Sequence, residues 1–169
     1  FGSVFKTFTI AAGFDEKLIK PKQMFNNLEK KINCGGRTIS EYDEDLSQNL
    51  SVEEILINSG NIGSVRIGQK LGVEKIKNFL NQIGILGNIT FDITEIGTPI
   101  PFNWGKCKLL TVSFGHGITT TLLQLAKGYA IISNGGYDIK PTLVKGENIN
   151  YGKKRRVLSK DVSLKINKI

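Results

Sequence analysis

The sequence predicts a helix-rich chain of mixed class, in which amphipathic helices are joined by short extended segments and polar loops. Three observations carry that reading. Val73, Ile76, Phe79, Leu80 and Ile83 fall at helical spacing. The most apolar stretch, Thr119 to Ser133, is long and closes on Asn134-Gly135-Gly136, the residues that end helices. Forty per cent of the 169 residues are hydrophobic, ample for the core of one domain or a piece of one.

The elements follow in order. Ser3 to Phe14 reads as one helix. Residues 15–49 are polar and irregular, with a turn at Gly35-Gly36 and a short hairpin expected through Arg37 to Ile39. Ser51, with Glu54 three residues on, is an N-cap signature for a helix over Ser51–Asn58. Ser59-Gly60-Asn61 stops it, and further helices are expected at Ile62–Leu71 and Val73–Ile83. Ile89 to Ile96 alternates weakly and is read as extended, and Thr98 to Lys108, with two prolines, as a loop. Leu109 to Phe114 is short and apolar and is read as extended. The helix over 119–133 follows, then an extended Tyr137 to Val144, then a last helix with Ser159 as its N-cap. No internal repeat or low-complexity segment interrupts this order.

Composition narrows the function classes. The net charge is +8, but lysine outnumbers arginine 19 to 4 and no basic run carries interleaved aromatics. The basic balance therefore implies no nucleic-acid partner. Lys153-Lys154-Arg155-Arg156 is the densest cluster and is read as a solvated loop. One histidine and no Cys-x-x-Cys leave no metal constellation, and no cofactor motif is present. Cys34 and Cys107 make no disulfide framework, and free thiols are expected, with a single bridge as the alternative in an oxidising compartment. No apolar stretch reaches about 18 residues, the length of a membrane-spanning helix.

The chemistry lies in two short motifs. The chain opens Phe1-Gly2-Ser3-Val4-Phe5-Lys6. Residues three apart on a helix share a face, so the Lys6 amine would stand near the Ser3 hydroxyl. A serine is a poor nucleophile until a base takes its proton. Phe5, Phe8, Ile10, Ala11 and Ala12 would bury the amine, and burial or a nearby positive charge disfavours the ammonium form. A neutral Lys6 could then be that base. The helix N-terminus at Ser3 would favour an oxyanion, and Gly2 would let the backbone enter the helix tightly. In the second motif, Ser59 can relay a proton to a leaving amine. Asn61 offers a donor and an acceptor, to bind a substrate amide and to hold Lys6. Taken singly, each motif has an ordinary reading. A serine near a helix start with a lysine one turn on recurs by chance, and Ser, Gly and Asn are turn residues.

The order of the segments decides between them. GSVFKTFTIAA, then Gly36-Arg37-Thr38-Ile39-Ser40, then LSVEEILINSGNIGSVRIGQKLG, then VSFGHGITTTLLQLAKGYAIISNGG, then Lys140-Pro141-Thr142-Leu143-Val144 run along nearly all of the chain. The series resembles division-specific class B penicillin-binding proteins, the FtsI type, whose signature pairs S-x-x-K with a Ser-x-Asn motif and a K-T-G strand. The resemblance implies an α+β fold of the penicillin-binding and serine β-lactamase-like type, an antiparallel sheet beside a helical subdomain. This chain, 1–169, would be a helix-rich part of it, from the S-x-x-K motif to before the K-T-G, lacking most of the sheet. The implied activity is a D,D-transpeptidase that cross-links septal peptidoglycan through an acyl-enzyme, with Ser3, Lys6, Ser59 and Asn61 as its catalytic residues. Its partners would be stem peptides ending in D-Ala-D-Ala, β-lactams that mimic them, and membrane proteins of the division machinery. The enzyme would sit in the bacterial inner membrane, its catalytic domain in the periplasm and its anchor outside this chain.

Three positions and one absent motif depart from the pattern. Gly60 stands where the family has Ser or Asp. His116, between Gly115 and Gly117, stands where glutamine is usual and is expected to be non-catalytic. Leu122 replaces a proline. No K-T-G is present, the only Lys-Thr being Lys6-Thr7, followed by Phe8. Helix faces without a sheet to cover them would favour self-association of the chain. A β-lactam-hydrolysing or β-lactam-sensing relative is the alternative within the same motifs. A non-catalytic interaction module is the alternative if no K-T-G strand follows.

Overall fold

Helix α1 (Lys6–Asp15) is apolar on every side and correspondingly buried: Phe8, Thr9, Ile10, Ala11, Ala12 and Phe14 are each at most 2% exposed. It belongs to the first of two units, residues 1–77 and 102–118 with Ile169; the second comprises residues 78–101 and 119–168. The structure is a computed structural model that describes residues 1–94, 96–145 and 155–169.

In the first unit, the single helix expected from Ser3 to Phe14 is two pieces, a 3-10 turn (Gly2–Phe5) running into α1. Gly2 takes a positive φ of 58°, and its N–H donates to the Gly115 carbonyl at 3.2 Å. A side chain at Gly115 would stand 2.0 Å from the Gly2 carbonyl oxygen, so glycine there lets two backbones meet. Strand β1 (Met24–Phe25) pairs antiparallel with β4 (Leu50–Ser51), and β2 (Lys31–Cys34) with β3 (Arg37–Ser40). The expected hairpin is therefore present. Gly35 and Gly36 both have positive φ, as a two-residue hairpin turn of the primed type requires.

Helix α2 (Val52–Ile57) starts on the expected capping box, with Ser51 accepting from the Glu54 N–H and Glu54 accepting from the Ser51 N–H. Helix α3 (Asn61–Gln82) breaks at Gly72, where φ is 75° and ψ 169°. The two helices expected on either side of Gly72 are the two sections of α3. Side chains at Gly63 and Gly68 would meet Ile55 at 2.5 Å and Ser113 at 1.8 Å, so these helix contacts are close to the backbone. The buried Thr9 hydroxyl donates to the Ser113 carbonyl at 2.9 Å, tying α1 to the end of α4 (Lys106–Val112).

Helix α4 corrects the extended reading of Leu109 to Phe114. A short apolar run does not distinguish a strand from a buried helix turn; burial of Leu109, Leu110 and Val112 is met here by a helix that opens after Gly105. The cysteines are a second correction. Cys34 and Cys107 form a disulfide, with Cα atoms 5.5 Å apart, that ties the end of β2 to the start of α4. A separation of 73 residues hides that proximity from the sequence.

In the second unit, α5 (Leu122–Ser133) begins later than Thr119 because the threonines before it are used otherwise. Thr119 accepts from the Ile100 N–H, Thr120 donates to the Ile85 carbonyl, and Thr121 caps the helix in a box with Gln124. Leu122 thus occupies the first helical position, where proline is tolerated. Ile131 and Ile132 are buried and Leu122 is 76% exposed, so part of this apolar helix is covered without a sheet. Helix α6 (Lys160–Ile166) starts on Ser159 as expected, and its Ser163 hydroxyl donates to the Ile132 carbonyl at 2.5 Å.

The described residues of the extended segments expected here form no strand. Among the described residues, Tyr137 makes one bridge, to Arg156. Instead of a ladder, the Asp92 carboxylate accepts from the Thr142 hydroxyl and the Leu143 N–H, each at 2.6 Å, joining the 89–96 and 137–144 segments through a side chain. Lys153 and Lys154 of the basic cluster lie outside the described residues. Arg155 and Arg156 are exposed, and the Arg156 guanidinium lies 4.4 Å from the Tyr137 ring centroid.

Candidate active site

The 3-10 turn sets the geometry of the first motif. Ser3 lies within the turn, and Lys6, three residues on, is the first residue of α1. Lys6, which the α1 start then carries inward, is 1% exposed, with Phe5, Phe8 and Ile10 fully buried around it. The Lys6 ammonium nitrogen donates to the Ser59 hydroxyl at 2.9 Å and to the Ser59 carbonyl. Burial pulls the Lys6 pKa down from 10.5 to about 8, while the Glu41 carboxylate pulls it upward. The charged neighbour is thus an anion, not the cation that the sequence left open as a second cause of a lowered pKa.

Ser59 reaches Lys6 with both groups because its backbone is left-handed, with φ 56°. That conformation costs a non-glycine residue about 1–2 kcal/mol, and such strain collects at functional sites. The turn is pinned on both sides: the Ser59 N–H donates to Leu56 and the Gly60 N–H to Ile55. Asn61 follows as the first residue of α3. Its side-chain nitrogen donates to the Ser40 carbonyl at 2.9 Å, so the Lys6 contact expected of it is made by Ser59.

Ser3, Ser59 and Asn61 line one cavity of the first unit, together with Gly2, Glu41, Asp43, Asn58 and His116. The structure therefore brings the four predicted residues together, three in the cavity wall and Lys6 bonded to one of them. His116 stacks on Phe114, with centroids 6.1 Å apart, and its N–H donates to Thr111. Glu41 is the residue that the sequence did not single out. Its carboxylate accepts from the Asn61 N–H at 2.6 Å and the Ile62 N–H at 2.8 Å. It lies 20 residues before Asn61 in a polar loop, and no local pattern marks it.

The structure thus sets a buried lysine on a left-handed serine, with a second serine in the wall of the same cavity. The family comparison agrees: the penicillin binding protein transpeptidase domain matches residues 1–169. The chain belongs to that family.

Among curated relatives, the "Probable peptidoglycan D,D-transpeptidase FtsI" of Caulobacter vibrioides is 28% identical over 99% of this chain and 28% of its own length. The "Probable peptidoglycan D,D-transpeptidase PenA" of Neisseria flavescens is 30% identical over 80% of the chain and 34% of its own. The chain thus spans about a third or less of these relatives. The transpeptidase domain of Burkholderia pseudomallei penicillin-binding protein 3, in its apo form, superposes with a TM-score of 0.88 at 22% identity, over 99% of this chain and 51% of that one. A peptidoglycan glycosyltransferase from Burkholderia ambifaria gives 0.89 at 20%, over 99% and 53%. These two likenesses show the α+β transpeptidase fold, of which the chain is a helix-rich part.

Proposed function

We propose that this chain carries the nucleophile and proton-transfer groups of a D,D-transpeptidase that cross-links septal peptidoglycan, with Ser3 as nucleophile and Lys6 as base. The observation that carries the reading is the pair of hydrogen bonds from the buried Lys6 nitrogen to Ser59. A neutral amine has two N–H donors and one lone pair. With both donors spent on Ser59, the lone pair is left to accept the Ser3 proton.

Ser3 Oγ attacks the carbonyl between the two terminal D-Ala residues of a stem peptide, and its proton passes to Lys6. As the C–N bond breaks, the proton travels through the Ser59 hydroxyl to the departing D-Ala amine, leaving an ester on Ser3. The amine of a neighbouring stem then attacks that ester. Its proton returns by the same route to Ser3 Oγ, and a new amide is released. Asn61, in the wall of the cavity, would bind the backbone of the donor peptide. A β-lactam enters as a mimic of the D-Ala-D-Ala end, and its leaving amine stays tethered, so the ester persists.

The Cys34–Cys107 disulfide supports a periplasmic catalytic domain, since such bonds persist in oxidising compartments. Among the described residues no helix is long and apolar enough to cross a membrane. An inner-membrane anchor outside these residues and membrane partners of the division machinery belong to this proposal through the resemblance to the FtsI type. The test is release of D-Ala from a stem pentapeptide by the full-length protein in the presence of an acceptor amine. Release that disappears in Ser3→Ala is expected; undiminished release in that variant contradicts the reading.

A further inference from the structure

Gly60 leaves a gap in the architecture of the Ser59-Gly60-Asn61 turn. It precedes α3, where a Ser, Thr, Asp or Asn side chain would normally cap the first free N–H groups, and it has no side chain to do so. Glu41 fills that role from 20 residues away: its two oxygens take the N–H groups of Asn61 and Ile62 separately. A carboxylate is favoured at this end of a helix by the dipole as well as by the hydrogen bonds. A Cβ at Gly60 would lie 3.8 Å from Glu41 Oε1, so the carboxylate sits over the turn itself. The same loop holds Asn61 a second time, through the Ser40 carbonyl.

We propose that Glu41 is a positioning residue for the transpeptidase reaction, clamping the start of α3 so that the left-handed Ser59 presents both its oxygens to Lys6. The inference rests on the reading of Lys6 and Ser59 given above. It has an electrostatic consequence. The charge of Glu41 acts on Lys6, and Asp43, Tyr42 and His116 line the same cavity. Its negative charge favours the ammonium form of Lys6, so neutralising it makes deprotonation easier. Two effects of Glu41→Gln then oppose each other. The amine is neutral down to lower pH, but the turn that receives its hydrogen bonds is loosened, because an amide offers one acceptor where the carboxylate offered two.

The test uses the full-length protein and a fluorescent penicillin, with the acylation rate constant measured across pH 5.5 to 9.5. The titration of Lys6 is followed separately by its 13Cε resonance, assigned by its loss in Lys6→Arg. For Glu41→Gln the account expects the Lys6 midpoint to move to lower pH by about half a unit or more. It expects the plateau rate to fall about tenfold or more, the scale of a lost charge-assisted hydrogen bond. Glu41→Asp keeps charge and both acceptors, so it should hold the wild-type midpoint and recover most of the rate. A residue with only a stabilising role would lower the yield of active protein and leave the midpoint in place. An unmoved Lys6 midpoint in folded Glu41→Gln, or a plateau rate within about twofold of wild type, overturns the proposal. The resonance reads Lys6 whether or not Ser3 is acylated, so failure of the catalytic reading appears separately, as acylation that survives Ser3→Ala.

Discussion

Moving the pH across the Lys6 titration perturbs the proposed base without a change of sequence. At pH 7 a lysine of pKa about 8 is neutral in about a tenth of molecules. At its ordinary 10.5 the fraction would be about 300-fold smaller. If neutral Lys6 accepts the Ser3 proton, the acylation rate constant rises about tenfold per pH unit below pH 7 and levels off above pH 8 to 9. The same shift has a cost in stability. Lys6 is almost wholly buried, so the fall of its pKa from 10.5 to about 8 corresponds to about 3 kcal/mol. For a depressed lysine the unfolded chain holds more protons between pH 8 and 10.5, so stability rises with pH in that window and the penalty is complete below pH 8. Lys6→Met, apolar and of similar length, removes the penalty. The account predicts that Lys6→Met is at least as stable as wild type at pH 7, by denaturant melts of the full-length protein, and shows no acylation by a fluorescent penicillin. A rate that is flat from pH 6 to 9, or a variant that acylates at the wild-type rate, would refute the reasoning.

The remaining predictions concern the disulfide, His116 and the isolated chain. Replacing Cys34 and Cys107 by serine should cost about 4 kcal/mol by chain entropy for a 73-residue separation, seen as a lower denaturation midpoint, with no change on reduction of the double variant. An unchanged midpoint would mean the bond does not constrain the fold. His116→Gln should keep the acylation rate within about threefold, or ~0.7 kcal/mol of barrier, because its structural contacts are a backbone hydrogen bond and a stack on Phe114. A loss of a hundredfold would place it on the substrate. The 169 residues expressed by themselves should acylate about 10² to 10³ times more slowly than the full-length protein, the effect of losing one oxyanion donor, which the resemblance assigns to the K-T-G strand. Exposed Leu122, Leu143, Val144 and Ile100 should also make that chain self-associate in light scattering. A monomer with full acylation rate would show that such a strand is dispensable.

What was legible in the sequence was local. The caps at Ser51 and Ser159, the break between the two sections of α3 and the turn at Gly35-Gly36 follow from residues within a few positions of one another. The three-residue spacing of Ser3 and Lys6 is local too, and it falls where a 3-10 turn runs into α1. What was not legible depends on distant contacts. Cys34 finds Cys107, and Glu41 finds the start of α3, across stretches with no periodicity to announce them. Leu109 to Phe114 was misread because its burial, rather than its pattern, decides its conformation. The hold on Lys6 passed from Asn61 to Ser59 for a reason the sequence does not carry, the positive φ of a serine. His116, expected from the family pattern to be non-catalytic, is set by the structure in the cavity wall.

The identity of the nucleophile is tested most directly by mapping the covalent adduct. The full-length protein is incubated with a penicillin, digested, and the peptides are sequenced by mass spectrometry. The account predicts one acyl group, carried on Ser3 in the peptide that begins this chain, and none in Ser3→Ala. An adduct on any other residue, or one that persists in Ser3→Ala, would contradict it.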